Sequence, residues 1–210
     1  MTVSAAFLVL DPPVDRLAAL LERIRPVVSD VVIVVDDRTR PETVHTLSAW
    51  RDVTLVPFRW VDDFAAARNA GLAYCAGDWV LHLDPDEWPS DRMLAFIEMV
   101  AVSDWHSVVY WQGQSHPDPR GYLFWTTDGD GNGDPSIEHD WHCRLFRRSL
   151  GHWYKRVHEQ VMLEGLTEDR TRETPLLVKA PRSAFLYHRP EPRTPDKDAL
   201  YNRLAEKAFV

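Results

Sequence analysis

The 210-residue chain has only two cysteines, Cys75 and Cys143. That is too few for a disulfide framework, and their separation lacks metal-ligand spacing, so both read as buried thiols of a reducing compartment. No apolar run approaches the roughly 18 to 20 residues that a bilayer span needs. The short apolar stretch from Ala5 to Leu10 has neither a basic lead-in nor a small-residue cleavage site, so no signal peptide is expected and the cytoplasm is the default compartment. A Lys/Arg-rich run is also missing: 24 Lys+Arg stand against 32 Asp+Glu, a net charge of −8. Nucleic acid is therefore not an expected partner, because phosphate neutralisation supplies most non-specific affinity there. There is no internal repeat and no low-complexity segment. What remains, 45% hydrophobic and 27% charged residues, is the composition of a globular domain, and the length suits a single one.

The charge is unevenly placed. Residues 1–100 carry 16 acids and 9 bases, residues 101–140 carry 7 and 1, and residues 141–210 carry 9 and 14. The acidic front shows a regular order. The run from Val3 to Leu10 predicts a buried strand, with Asp11 as cap and a proline in the first turn of a helix bearing Leu17, Leu20, Leu21 and Ile24. The β-branched run from Val31 to Val35 predicts a parallel strand buried on both faces, stopping at Asp36-Asp37. Pro41 opens a second helix and Val53 to Phe58 form a third strand. Asp62 or Asp63 caps a helix with Phe64, Ala67 and Tyr74 on its apolar side. Trp79 to Leu83 make a fourth strand, Ser90 to Val100 a fourth helix, and Ser107 to Trp111 a fifth strand. Such alternation implies a mostly parallel sheet covered by helices on both faces. Ligands bind such sheets beyond the carboxyl ends of the strands, where Asp11, Asp36, Asp37, Asp84, Asp86 and Glu87 fall.

Residues 112–140, rich in glycine and proline, read as a long loop of the functional kind. Within it, residues 128–134 partly match a calcium loop, but position twelve is His139 rather than a glutamate; a flexible lid is the alternative. Further on, Trp141 to Arg147, His152 to Val161 and Ser183 to Tyr187 read as strands of a mixed region, and Asp196 to Phe209 as a closing helix. Trp60, Trp79, Trp105 and Trp111 are expected in the core, and so is His82. Trp88 and Trp125 are candidates to stack on a bound ligand. His106, His116, His139, His142 and His152 show no metal spacing.

The cluster Asp84-Pro85-Asp86-Glu87 puts three carboxylates in four positions at a buried strand end. They repel unless a cation or shared proton relieves them. Mg²⁺ or Mn²⁺, held by one or two carboxylates plus substrate phosphates, is the economical solution.

The stretch from Trp60 to Trp88, "WVDDFAAARNAGLAYCAGDWVLHLDPDEW", resembles the central block of family 2 glycosyltransferases with the GT-A fold. The later "HCRLFRRSLGHWYKRVHEQV" resembles that family's "CRLFR … HEQ" region, and "FLYHRP" the His-containing end of its catalytic core. The resemblance implies an α/β, GT-A-like (Rossmann-like) fold with a mostly parallel central sheet and a smaller mixed-sheet acceptor side. One domain, 1–210, would comprise a nucleotide-binding half (1–111), a flexible loop (112–140) and an acceptor-side half (141–210). No accessory domain or membrane anchor is expected.

It also implies roles, residue by residue. Asp36 would contact the nucleoside, Arg68 would help hold the nucleotide, and Asp84 would lie near the ribose. Asp86 would ligate the metal at the donor diphosphate, with His188 completing that site. His158-Glu159 would face the acceptor, with Glu159 as general base. Lys155, Arg156 and Arg189 would add positive charge. The chain departs from the family after its first strand, where Asp11-Pro12-Pro13 replaces Asn-Glu; Asp11 is either a nucleotide contact or only a cap. The implied activity is inverting transfer from a nucleotide-diphosphate sugar to a glycan, lipid or protein hydroxyl, assisted by Mn²⁺ or Mg²⁺. The rivals are a catalytically silent nucleotide or sugar binder of the same fold, and another phosphoryl-handling Asp-x-Asp enzyme. For the latter, the first strand lacks both a phosphatase motif and a glycine-rich basic loop.

Overall fold

The computed structural model describes residues 1–102, 108–111, 125–126, 143–157, 159–163, 177–180, 186–188, 199–200 and 203–204. The expected alternation appears in order: β1 (Val3–Val9), α1 (Val14–Ile24), β2 (Asp30–Asp36), α2 (Pro41–Ser48), β3 (Thr54–Phe58), α3 (Phe64–Leu72) and β4 (Trp79–His82). A short β5 (Glu87–Pro89) precedes α4 (Asp91–Val102), followed by β6 (Val108–Trp111), β7 (Trp125–Thr126), β8 (Cys143–Arg147), β9 (Gly151–Tyr154), β10 (Gln160–Leu163), β11 (Leu177–Ala180) and β12 (Leu186–His188).

The main sheet has the order β11-β6-β8-β4-β1-β2-β3. Strands β4, β1, β2 and β3 are mutually parallel, β8 runs antiparallel between β4 and β6, and β11 is parallel to β6. β2 shows why the centre is apolar throughout. Val31, Ile33 and Val35 join one core cluster with Leu17, Leu20, Ile24, Met93 and Ile97, while Val32 and Val34 join the other with Ala65, Val80, Phe146 and Trp153. A strand covered on both sides by helices has no solvent face to make polar. Gly71 lets α3 lie close: a Cβ there would stand 2.5 Å from Val34 Cγ2.

Several details differ from the sequence expectation. The N-cap of α1 is Pro13, without a side-chain cap bond. Asp11 instead takes a left-handed φ of 45°, and its carboxylate accepts the Arg40 N–H at 2.9 Å. Of the two expected candidates for the cap of α3, Asp63 is the one that serves, accepting from Ala66 N at 2.9 Å. Tyr74 lies past the end of α3 and is exposed. Residues 152–161 form a hairpin of β9 and β10 rather than one strand, because Lys155 turns the chain at φ 70°. The last strand, β12, leaves the main sheet for a separate one of order β5-β12-β7. Trp125 therefore sits in a strand, not in a loop. The rest of the long loop, with residues 128–134, lies outside the described residues, as do Trp105 and most of the closing helix.

Candidate functional site

Two carboxylate clusters occupy the carboxyl ends of the parallel strands. The first, at the end of β2, is built locally. Asp36 is buried and accepts from the Arg38 backbone N–H at 2.9 Å, from Arg38 Nε at 2.8 Å and from its terminal nitrogen at 2.5 Å. The Arg38 guanidinium lies over the Trp60 ring at 4.7 Å, so Trp60 is a partly exposed shelf rather than core. Trp60 is fixed in turn by Asp37 Oδ1, 3.0 Å from its backbone N, and by Asp62 Oδ1, 2.9 Å from its indole Nε1.

The second cluster, at the end of β4, is assembled from distant segments. Arg68 on α3 donates through Nε to Glu159 Oε1 at 2.7 Å and through a terminal nitrogen to Asp84 Oδ1 at 3.2 Å. Its other terminal nitrogen meets His82 Nδ1 at 3.1 Å. Trp153 lies beneath the guanidinium, 5.1 Å from its ring centre, and against the His82 ring at 4.8 Å. Asn69, next to Arg68, holds the Trp153 backbone from both sides, with Nδ2 donating to its carbonyl and Oδ1 accepting its N–H, each at 2.8 Å. Arg144 on β8 pairs with Glu87 and reaches Asp84 Oδ2 at 3.4 Å. Glu87 also accepts the Asp84 N–H at 2.9 Å, which closes the turn.

The electrostatics follow from this packing. Burial works against ionised Asp84, but Arg68 and Arg144 outweigh it and hold the carboxyl well below the ordinary range. Burial likewise opposes the charge on Arg68, yet Glu159 and Asp84 raise its pKa. His82 goes the other way: burial first, then the positive charge of Arg68, pushes it down to about 3. The imidazole is thus neutral at physiological pH. Two arginines therefore supply much of the charge relief that the acidic motif demanded of a metal.

The sequence-predicted residues are brought together unequally. Asp84, Arg68 and Glu159 meet directly. Asp86 is partly buried in the same turn, and the register of β12 with β5 places His188 opposite Glu87 and Tyr187 opposite Trp88. Trp125 of β7 is in register with Tyr187 from the other side, so Trp88, Tyr187 and Trp125 occupy one row of the small sheet. Asp36 and Asp11 are held by Arg38 and Arg40 at the next strand ends. Lys155 and Arg156 are exposed in the β9–β10 turn, where the Arg156 carbonyl accepts the Phe64 N–H at 2.9 Å. His158 and Arg189 lie outside the described residues.

Among the described residues, no three His, Cys, Asp or Glu side chains form a preassembled metal cage. The donors nonetheless fit a cation completed by substrate phosphates, for which one or two protein ligands suffice. Sequence reasoning placed Glu87 in the acidic turn and His82 in the core, but missed that His82 contacts Arg68 and that Glu87 pairs with Arg144. A histidine inside "WVLHL" looks like core, and nothing near Glu87 in sequence announces that its counter-ion comes from β8.

A central sheet of this order, with its acidic turn at the β4 end, defines the GT-A class of nucleotide-sugar folds. The glycosyl transferase family 2 model matches residues 15–153, and the chain belongs to that family. Among solved structures it is similar to TarS 1-349 of S. aureus in complex with UDP-GlcNAc, with a TM-score of 0.59 and 13% identity over 99% of this chain and 66% of that one. The UDP complex of the same protein gives a TM-score of 0.56 and 13% identity, covering 99% of this chain and 65% of that chain. A TPR repeat-containing protein of Synechococcus elongatus is 41% identical over 58 residues, 28% of this chain and 14% of its own length. The chain thus spans less than two thirds of these relatives. No helix among the described residues is long and apolar enough to cross a membrane.

Proposed function

We propose that the chain transfers a sugar from a nucleotide-diphosphate sugar to an acceptor hydroxyl with inversion at the anomeric carbon. One observation carries this reading: a single guanidinium, Arg68, joins Asp84 of the acidic turn to Glu159 from the far half of the chain. A donor-side carboxylate and a candidate base are thereby held at one point. Family membership supports the reaction class, and the similar TarS structure, solved with UDP-GlcNAc, makes a UDP-sugar the first donor to try.

Glu159 would take the proton from the acceptor hydroxyl. That oxygen attacks the anomeric carbon from the face opposite the leaving group, and the bond from this carbon to the diphosphate oxygen breaks. Asp36 and Asp84 would hold the nucleoside, with Arg68 aligning Asp84. Asp86 and His188 would hold Mn²⁺ or Mg²⁺, whose charge would offset that of the departing diphosphate. Trp88 and Trp125 would contact sugar rings, and Lys155 and Arg156 would add positive charge on the acceptor side.

The test is a panel of UDP-, GDP- and dTDP-sugars, each with and without Mn²⁺, read by thermal shift and by release of nucleoside diphosphate. Glu159→Gln is expected to keep calorimetric donor affinity while losing roughly 10²–10⁴-fold in turnover, the usual contribution of a general base; near wild-type turnover would remove it from that role. Asp86→Ala is expected to abolish the Mn²⁺-dependent part of UDP binding, and an unchanged affinity would exclude it as the ligand. Binding without any hydrolysis or transfer would leave a silent binder instead.

A further inference from the structure

We propose that His82 is a positioning residue for the transfer reaction, a neutral imidazole protonated on Nε2 that fixes Arg68 between Asp84 and Glu159. The inference rests on the function proposed above and assigns a role to a residue that the sequence places among core side chains.

The argument begins with an anomaly of burial. β4 is fully enclosed, and Trp79, Val80 and Leu81 beside His82 are apolar. His82 is 2% exposed. A polar ring in that setting costs free energy unless its nitrogens are engaged, and a leucine would fill the space without that cost. What the imidazole adds is an acceptor. Arginine only donates, so the 3.1 Å contact between Arg68 and Nδ1 requires the lone pair on Nδ1. In the neutral ring the proton then belongs to Nε2, which faces Asp84 Oδ1 at 3.5 Å without forming a hydrogen bond, so the acceptor role of Nδ1 is what the ring contributes. The ring cannot swivel freely, because Trp153 packs edge-on against it at 4.8 Å.

Arg68 is thereby held at every donor nitrogen: Nε and one terminal nitrogen by Glu159 and Asp84, the other terminal nitrogen by His82. The two carboxylates alone would let the guanidinium pivot toward either of them. The neutral acceptor on the third side sets its plane, and with it the separation of the donor-side acid from the candidate base. A cationic ring or one with the proton on Nδ1 would point N–H at N–H and break the arrangement. Supporting partners of this kind typically affect activity by roughly 10–100-fold when removed.

The experiment uses the full chain and three variants. His82→Asn places an oxygen near the Nδ1 position, His82→Gln reaches instead toward the Nε2 position, and His82→Phe keeps the volume without an acceptor. With UDP-GlcNAc and Mn²⁺, the expected result is a fall in kcat of roughly 10–100-fold for His82→Phe, with little change in KM or thermal midpoint. His82→Asn should recover most of the lost turnover and His82→Gln less. A wild-type kcat in His82→Phe, or no rescue by asparagine, would overturn the proposal. The second readout needs neither turnover nor a variant that folds: the ¹⁵N spectrum of the His82 ring in the wild-type chain is expected to show the Nε2–H tautomer from pH 5 to 8. An Nδ1–H tautomer or an imidazolium would overturn it equally. Should the wild-type chain turn over none of the nucleotide sugars, the transfer reading fails, while the ring spectrum still decides whether His82 anchors Arg68.

Discussion

The acidic ends of β2 and β4 meet the same physical demand, a buried carboxylate that must keep its charge, in opposite ways. Asp36 is satisfied by an arginine two residues on, although Asp62 at the rim of its group also pairs with the distant Arg203. Asp84 is satisfied by Arg68 and Arg144, from a helix before it and a strand long after it. Arg38 is half exposed and within reach of water, whereas Arg144 and Glu87 are almost fully enclosed. A local pair in contact with solvent can be remodelled cheaply. An enclosed, long-range one cannot, and the enclosed cluster ties the two halves of the chain together at Asp84.

Three measurements probe this contrast. Arg144→Met should have the largest effect, because it removes the enclosed guanidinium that pairs with buried Glu87; removing one partner of a buried pair costs about 3–5 kcal/mol, readable as a lowered urea midpoint. Between pH 6.5 and 5, acid should act more mildly through the same cluster. His82 sits at about 3 when folded, below its ordinary value of 6.5, so the unfolded chain binds the extra proton. Stability is full above pH 6.5 and falls as pH drops toward 3, by at most about 1.4 kcal/mol per pH unit. His82→Asn should flatten that decline between pH 6.5 and 5, and an unchanged slope would assign it to other groups. Arg38→Met should have the smallest effect, about 1 kcal/mol, since Asp36 keeps its backbone donor and water can replace the guanidinium. Equal losses for Arg38→Met and Arg144→Met would erase the distinction.

The same contrast explains what the sequence made legible. Strands β1 to β4 were readable because each helix and strand carries its own periodicity, and Asp36 could be placed because a buried strand must end somewhere. The "DDF" block and the Asp-x-Asp turn were readable as a resemblance. Asp11 misled because a cap is the ordinary use of an acid before a helix; the two prolines after it instead start the helix without one, and Arg40 claims the carboxylate. The role of His82 and the pairing of Glu87 with Arg144 were illegible for a different reason. Nothing in the segment around His82 or Arg144 announces a partner, and only the insertion of β8 beside β4 brings Arg144 to the acidic turn. The hairpin of β9 and β10 was hidden by a positive φ at Lys155, a conformation that a lysine does not advertise.

The antiparallel strand β8 also has a consequence for how the molecule comes into being. Strands β1 to β4 can pair as soon as they are synthesised, but until residue 147 exists the outer edge of β4 has no partner on that side. An apolar edge of this kind is a template for misassociation between chains. The strand that seals it also carries Arg144 to Asp84 and Glu87. Closing the sheet and charging the site are therefore one event during biosynthesis, and chains truncated before β8 should both aggregate and lack the second arginine of the cluster.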